Sequence, residues 1–125
     1  MNLIAAILIY LWIAGFVASF VIQTVFREWF AANTHWGVNK GWQNEIAIWN
    51  MGIIAVISGI LFVNSTYAVY MLPGLLILSV SFAVNHFIAL KRSRSFKAGN
   101  FAGMLANILI SVTIIVLITG NIILK

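Results

Sequence analysis

Two residues of this chain have the types to exchange a proton or grip a polar ligand together, Glu45 and His86. A carboxylate and an imidazole within reach of one atom can bind a polar group or act as general base and acid. Glu45 is one of only two acids in the 125 residues, and His86 is one of two histidines. Around them stand amides and an indole that could complete a site: Trp49, Asn50, Asn85 and Asn107. Glu45 has a plainer reading, as a first-turn carboxylate that complements a helix dipole. His86, close to Lys91, has one as an interfacial side chain. His35, in a tryptophan-rich gap, reads as solvated.

The elements that must position these residues follow from the rest of the chain. It is 63% hydrophobic and 7% charged, against about 25% charged in an average soluble domain. Four apolar stretches, approximately 3–26, 46–63, 67–90 and 101–123, have the length of membrane helices. The first is roughly 36 Å long at helical rise. It lacks a basic leader, and its apolar run exceeds the h-region of a signal peptide, so it reads as a retained helix. Pro73 falls near the start of the third stretch, where a missing N–H costs little. Asn64-Ser65-Thr66 leaves room only for a tight turn. It also fits a glycosylation pattern, but its place against the membrane argues against use.

The gap from Arg27 to Glu45 is longer. It holds Trp29, Trp36 and Trp42, with Trp49 just beyond. Tryptophan favours the headgroup layer, so the gap reads as an aromatic belt; the alternative is a lid over a pocket. Residues 27–32 extend the first helix or form a short interfacial one. The gap from Lys91 to Asn100 carries Lys91, Arg92, Arg94 and Lys97 and no acid. With Arg27 and Lys40, six basic residues lie on one side and Lys125 alone on the other, which places these gaps in the cytoplasm and both termini on the outer side. The net charge of +5 therefore points to anionic lipid headgroups at Lys91, Arg92, Arg94 and Lys97, not to nucleic acid.

With that orientation, Gln23, Thr24, Glu45, Asn50, Asn85, His86, Asn100 and Asn107 all fall in the cytoplasmic half. Hydrocarbon penalises such groups, so they are expected to face the bundle interior or a wet cavity. Gly99, Gly103, Asn107 and Ser111 recur every four residues, and Ala55 and Gly59 repeat the small-residue spacing. Such stripes read as packing seams, since small residues let helices approach closely. Ser81 shares a helix face with Asn85, and Ser79 and Phe82 share one with His86.

The absences narrow the field. Two histidines cannot ligate two haems, no Glu-x-x-His pair suits a di-metal bundle, and the chain has no cysteine, no phosphate loop and no internal repeat. No metal or cofactor is expected. The run Gly41-Trp42-Gln43-Asn44-Glu45-Ile46-Ala47-Ile48-Trp49-Asn50-Met51-Gly52 resembles the W-x-x-E-(I/V)-x-x-x-N-x-(G/A) stretch that opens the second helix in an uncharacterised family of small four-helix bacterial inner-membrane proteins, loosely DoxX-like in layout. Asn85-His86 and Gly99-Asn100 extend the resemblance. It implies a four-helix bundle with a polar cytoplasmic cluster and no established activity. The very basic third gap and the scarcity of acids depart from the family's pattern.

The fold expected is all-α, a single integral-membrane four-helix bundle, multi-pass in the inner (plasma) membrane. Three functions remain open. One is a non-enzymatic protein that binds a lipid-like or quinone-like amphiphile, or a partner helix, in a cytoplasmic-side cavity lined by Glu45, Trp49, Asn50, Asn85, His86 and Asn107. Another is an accessory or scaffold subunit of a larger membrane complex, or a homo-oligomer. The last is a small membrane enzyme that moves a proton between Glu45 and His86.

Overall fold

The chain's long apolar runs fold as helices because a backbone without water must satisfy its own N–H and C=O groups. The computed structural model describes Met1, residues 3–93 and residues 96–120. Among these the elements are α1 (Leu3–Thr24), α2 (Arg27–Asn33), α3 (Lys40–Asn64), a 3-10 segment (Ser65–Met71), α4 (Leu72–Arg92) and α5 (Ala98–Thr119), with no strand. Three helical stretches are long and apolar enough to cross a membrane: Leu3–Thr24, Lys40–Arg92 and Ala98–Thr119. The 3-10 segment divides the middle one into α3 and α4. Arg94, Asn121 and Lys125, and the expected span beyond residue 120, lie outside the described residues.

The termini of the elements have local causes. Arg27 Nε donates to Thr24 O at 2.9 Å and closes one of the orphan carbonyls at the end of α1. The aromatic gap then makes a separate short helix, α2. The gap itself is shorter than the sequence suggests, because α3 begins at Lys40, six residues before the expected apolar span. Asn39 sets that start: its Oδ1 accepts the Trp42 N–H at 3.1 Å, an N-cap bond. At the other end of α3 the Asn64 side chain accepts from Thr66 N at 2.9 Å. The expected three-residue turn becomes the 3-10 segment, and α4 starts at Leu72 with Pro73 in its first turn.

The helices pack as two pairs, α1 with α3 and α4 with α5. Asn50 donates to Ser19 Oγ at 2.8 Å, and Arg27 reaches Asn44 Oδ1 at 2.8 Å, so α1 and α3 run antiparallel. One apolar core joins the pairs at the end where α1 begins: Ala5, Leu8, Ile9, Trp12 and Phe16 meet Ile57, Ala68, Val69, Leu72, Leu75, Ile114 and Leu117. Trp12 stacks on Phe16 at 5.0 Å and meets Phe82 of α4 at 6.5 Å. Outside this core the helices present apolar side chains outward, such as Phe62 (93% exposed). Water would penalise that surface, whereas acyl chains would not.

Because the driving force inside such a core is packing, buried and outward isoleucines should respond differently to truncation. Ile57→Ala is expected to lower unfolding stability in detergent by about 2 kcal/mol through the cavity it leaves. Ile48→Ala, on the outward face, is expected to leave the midpoint unchanged. Equal losses at both positions would contradict the assigned faces.

Candidate functional site

At the end away from the apolar core, residues 32–36 lie as a strap across the tips of α4 and α5. Local hydrogen bonds end α2 and release this segment. Asn33 Nδ2 donates to Trp29 O at 2.9 Å, and Thr34 Oγ1 donates to Phe30 O at 2.9 Å. Such side chains compete with the helix for backbone groups. Gly37, with φ of 68°, then turns the chain towards α3.

Four contacts hold the strap down. Lys97 Nζ donates to Ala32 O at 2.7 Å. The His35 backbone N–H donates to Asn100 Oδ1 at 2.9 Å, and the His35 ring Nε2 lies 2.6 Å from Ser93 Oγ. The Asn33 carbonyl rests on Gly99, where a Cβ would stand 2.6 Å from that oxygen. Only glycine allows the strap to settle there.

Beneath the strap is a polar knot. Asn100 is fully buried. Because His35 N–H must donate, it fixes the Asn100 carbonyl oxygen towards the strap, and Asn100 Nδ2 then faces His86 Nδ1 at 3.4 Å. The amide donates, so Nδ1 accepts and the ring proton of a neutral His86 sits on Nε2. The His86 ring packs over Gly103, whose place no side chain could take without displacing it. Trp36 covers the ring from the other side at 4.9 Å and is itself flanked by Phe30 at 5.8 Å and Trp42 at 6.3 Å.

Beside the knot an open cleft of about 340 Å3 is lined by His35, Trp36, Asn85, Ile88, Ala89, Arg92 and Ser93. Its polar rim carries one cation, Arg92, which has no hydrogen-bond or ion-pair partner among the described residues, and no carboxylate. Trp36, Ile88 and Ala89 make its apolar wall. An anionic head could meet Arg92 and Asn85 while an apolar tail lies on that wall.

The six residues expected to share a cavity divide among five places. His86 is in the knot, and Asn85 opens on the cleft. Asn50 is buried but spent on Ser19, at the α1–α3 seam. Asn107 Nδ2 donates to Gly103 O of its own helix at 2.8 Å, and Ser111 Oγ does the same to Asn107 O at 2.7 Å. Glu45 and Trp49 (72% exposed) face outward from α3. Glu45 has no hydrogen bond or ion pair among the described residues, so it does not pair with His86 in this arrangement. His35, expected to be solvated, is half-buried and bonded. Arg92, His35 and Trp36 emerge as cleft residues that spacing alone could not connect, because the bonds that bring His35 and the strap to this end reach 58 to 65 residues along the chain. The local signal that could have marked the break in helix is Asn33-Thr34 before it and Gly37 after it.

The interior also holds polar atoms with no partner among the described residues: Gln43 Nε2 and Oε1, Gln23 Oε1, Trp12 Nε1 and Ser79 Oγ. No group of three or more His, Asp or Glu side chains among the described residues could hold a metal ion. The fold thus defines an all-helical protein with stretches able to cross a membrane and a strapped polar end. No family model, curated protein or solved structure matches the chain.

The close approaches at Gly99 and Gly103 should not tolerate side chains. Gly103→Val is expected to lower the unfolding midpoint in detergent, at a cost of about 1–3 kcal/mol, by driving His86 off its seat. Gly15→Val, whose Cβ would meet nothing within 4 Å, is the comparison and should cost much less. Equal midpoints for the two variants would show that His86 does not pack on α5.

Proposed function

We propose that this protein is a non-enzymatic four-span bundle of a bacterial inner membrane, with both termini on the outer side, that holds an anionic amphiphile at its cytoplasmic end. In this reading α1, α3, α4 and α5 are the spans. Arg27, Lys40, Lys91, Arg92 and Lys97 gather at the strap end, and no basic residue is described at the other, which supports a cytoplasmic strap. The layout is compatible with the resemblance of the Trp42–Gly52 run to small four-helix inner-membrane proteins, and that resemblance supplies no activity.

The observation that carries the binding function is the cleft: Arg92, which has no partner among the described residues, and the amide of Asn85 stand over an apolar wall of Trp36, Ile88 and Ala89. A lipid-like molecule with a phosphate or carboxylate head matches that polarity. The strap forms one side of the cleft, so the contacts of Asn100, Gly99 and Lys97 shape it without touching the ligand. A Glu45–His86 reaction is not part of this reading, because the two side chains share no contact. The scaffold alternative keeps one support, the wide outward apolar face of α3 from Met51 to Val63.

Two measurements test the proposal. In native mass spectrometry of protein released from nanodiscs containing phosphatidylglycerol, Arg92→Gln with Asn85→Ala should lower retained lipid about fivefold, the worth of one basic contact at a membrane surface. Lys91→Gln, which does not line the cleft, should retain lipid as the parent does. Equal retention in all variants would discard the cleft. For topology, the chain has no cysteine. Ser65→Cys should therefore react with an impermeant maleimide on intact cells and Val38→Cys only after lysis. The reverse pattern would invert the orientation.

A further inference from the structure

The outward face of α3 carries a second arrangement that the cleft does not use. Trp42, Glu45 and Trp49 stand three and four residues apart, so they share one side of the helix. All three are exposed, with Trp42 39% and Trp49 72% accessible. Glu45 lies between the two indoles and has no internal partner among the described residues. Trp42 is not free to swing at will, since its ring meets Trp36 edge-on at 6.3 Å beside the strap.

The same face continues along the helix as Gly52, Val56, Gly59 and Val63. A Cβ on Gly52 or on Gly59 would meet nothing within 4 Å, so the backbone lies open there and forms a shallow apolar track. In the proposed orientation, Trp42, Glu45 and Trp49 lie in the cytoplasmic headgroup layer and the track runs into the acyl region. A carboxylate alone at that level would gain from an organic cation, and an indole face attracts one as well. Chains attached to that cation would lie on the glycine track.

We infer that Trp42, Glu45 and Trp49 form a binding site for the ammonium head of a membrane lipid, opposite in charge preference to the Arg92 cleft. The site takes a primary or quaternary amine on a two-chain lipid. It rests on the membrane orientation given above but not on any occupant of the cleft. The protein thereby offers a cation at one point of its cytoplasmic rim and an anion flanked by aromatic rings at another, and so engages two headgroup classes at once.

The test uses the full chain in vesicles and brominated lipids, which quench nearby tryptophan. Phosphatidylethanolamine and phosphatidylglycerol share the phosphate and glycerol and differ in the ammonium group. At equal mole fraction, brominated phosphatidylethanolamine should quench about threefold more effectively than brominated phosphatidylglycerol at this site, the scale of an exposed cation–π contact with a carboxylate beside it. Glu45→Gln should abolish that preference, and Trp49→Phe should remove most of the preferential signal. In an Arg92→Gln background, where the cleft beside Trp36 no longer favours phosphatidylglycerol, the Glu45-dependent preference should persist, which separates this site from the cleft. Equal quenching by the two lipids in the parent, or a preference that survives Glu45→Gln, would overturn the proposal. The first result is also what a site reserved for a partner's basic side chain would give.

Discussion

The arrangement depends on one buried amide. Asn100 stands at the start of α5, where water is excluded, and its carbonyl takes the backbone N–H of His35 from the strap. Without it that half-buried N–H would lose this bond, at a cost of about 0.5–1.5 kcal/mol. The same amide turns its NH2 towards His86 and so sets which ring nitrogen accepts. A single side chain therefore ties the loop after α2, the end of α4 and the start of α5. The two helix pairs meet broadly only at the opposite end, in the apolar core. Asn100 and the strap are what close the polar end.

Small residues make this tie sterically possible. Gly99 lets the Asn33 carbonyl approach the helix, and Gly103 leaves the volume that the His86 ring fills. The next members of the stripe do something different. Asn107 and Ser111 turn their polar groups back on their own helix, which neutralises them in an apolar setting. One periodic pattern thus serves two ends: close contact near the strap and self-satisfaction further down. Trp36 completes the strap end as a flat apolar cover over His86 and also lines the cleft in which Arg92 has no partner among the described residues.

Much of the fold could be read from residue types, because hydrocarbon-length apolar runs leave few choices. The helical class and the position of Pro73 in a first turn follow from local rules, and the structure decides between the two readings of residues 27–32 in favour of a separate short helix. The ends of helices were less legible. Asn39 and Asn64 moved boundaries by several residues through caps that apolar patterning does not register. The candidate site was legible only in part. Asn85, His86 and Asn100 were marked as polar groups at one level, and the structure gathers His86 and Asn100 beneath the strap with Asn85 at the adjacent cleft. Which way a polar residue faces was not legible. Glu45 and Asn50 are neighbours in sequence, yet one looks out from the bundle and the other binds Ser19 within it. The role of His35 depends on residues about sixty positions away, and no spacing rule reaches that far.

Beside the Asn100 bond, the packing of Trp36 on His86 holds the strap to the helical bundle as one unit. A double-mutant cycle of Trp36→Ala and His86→Ala, followed by unfolding in detergent, addresses it most directly. The second substitution is expected to cost less once the first is made, with a coupling of about 0.5–1.5 kcal/mol between the two rings. Strictly additive losses would mean that the Trp36–His86 contact does not couple the strap to α4.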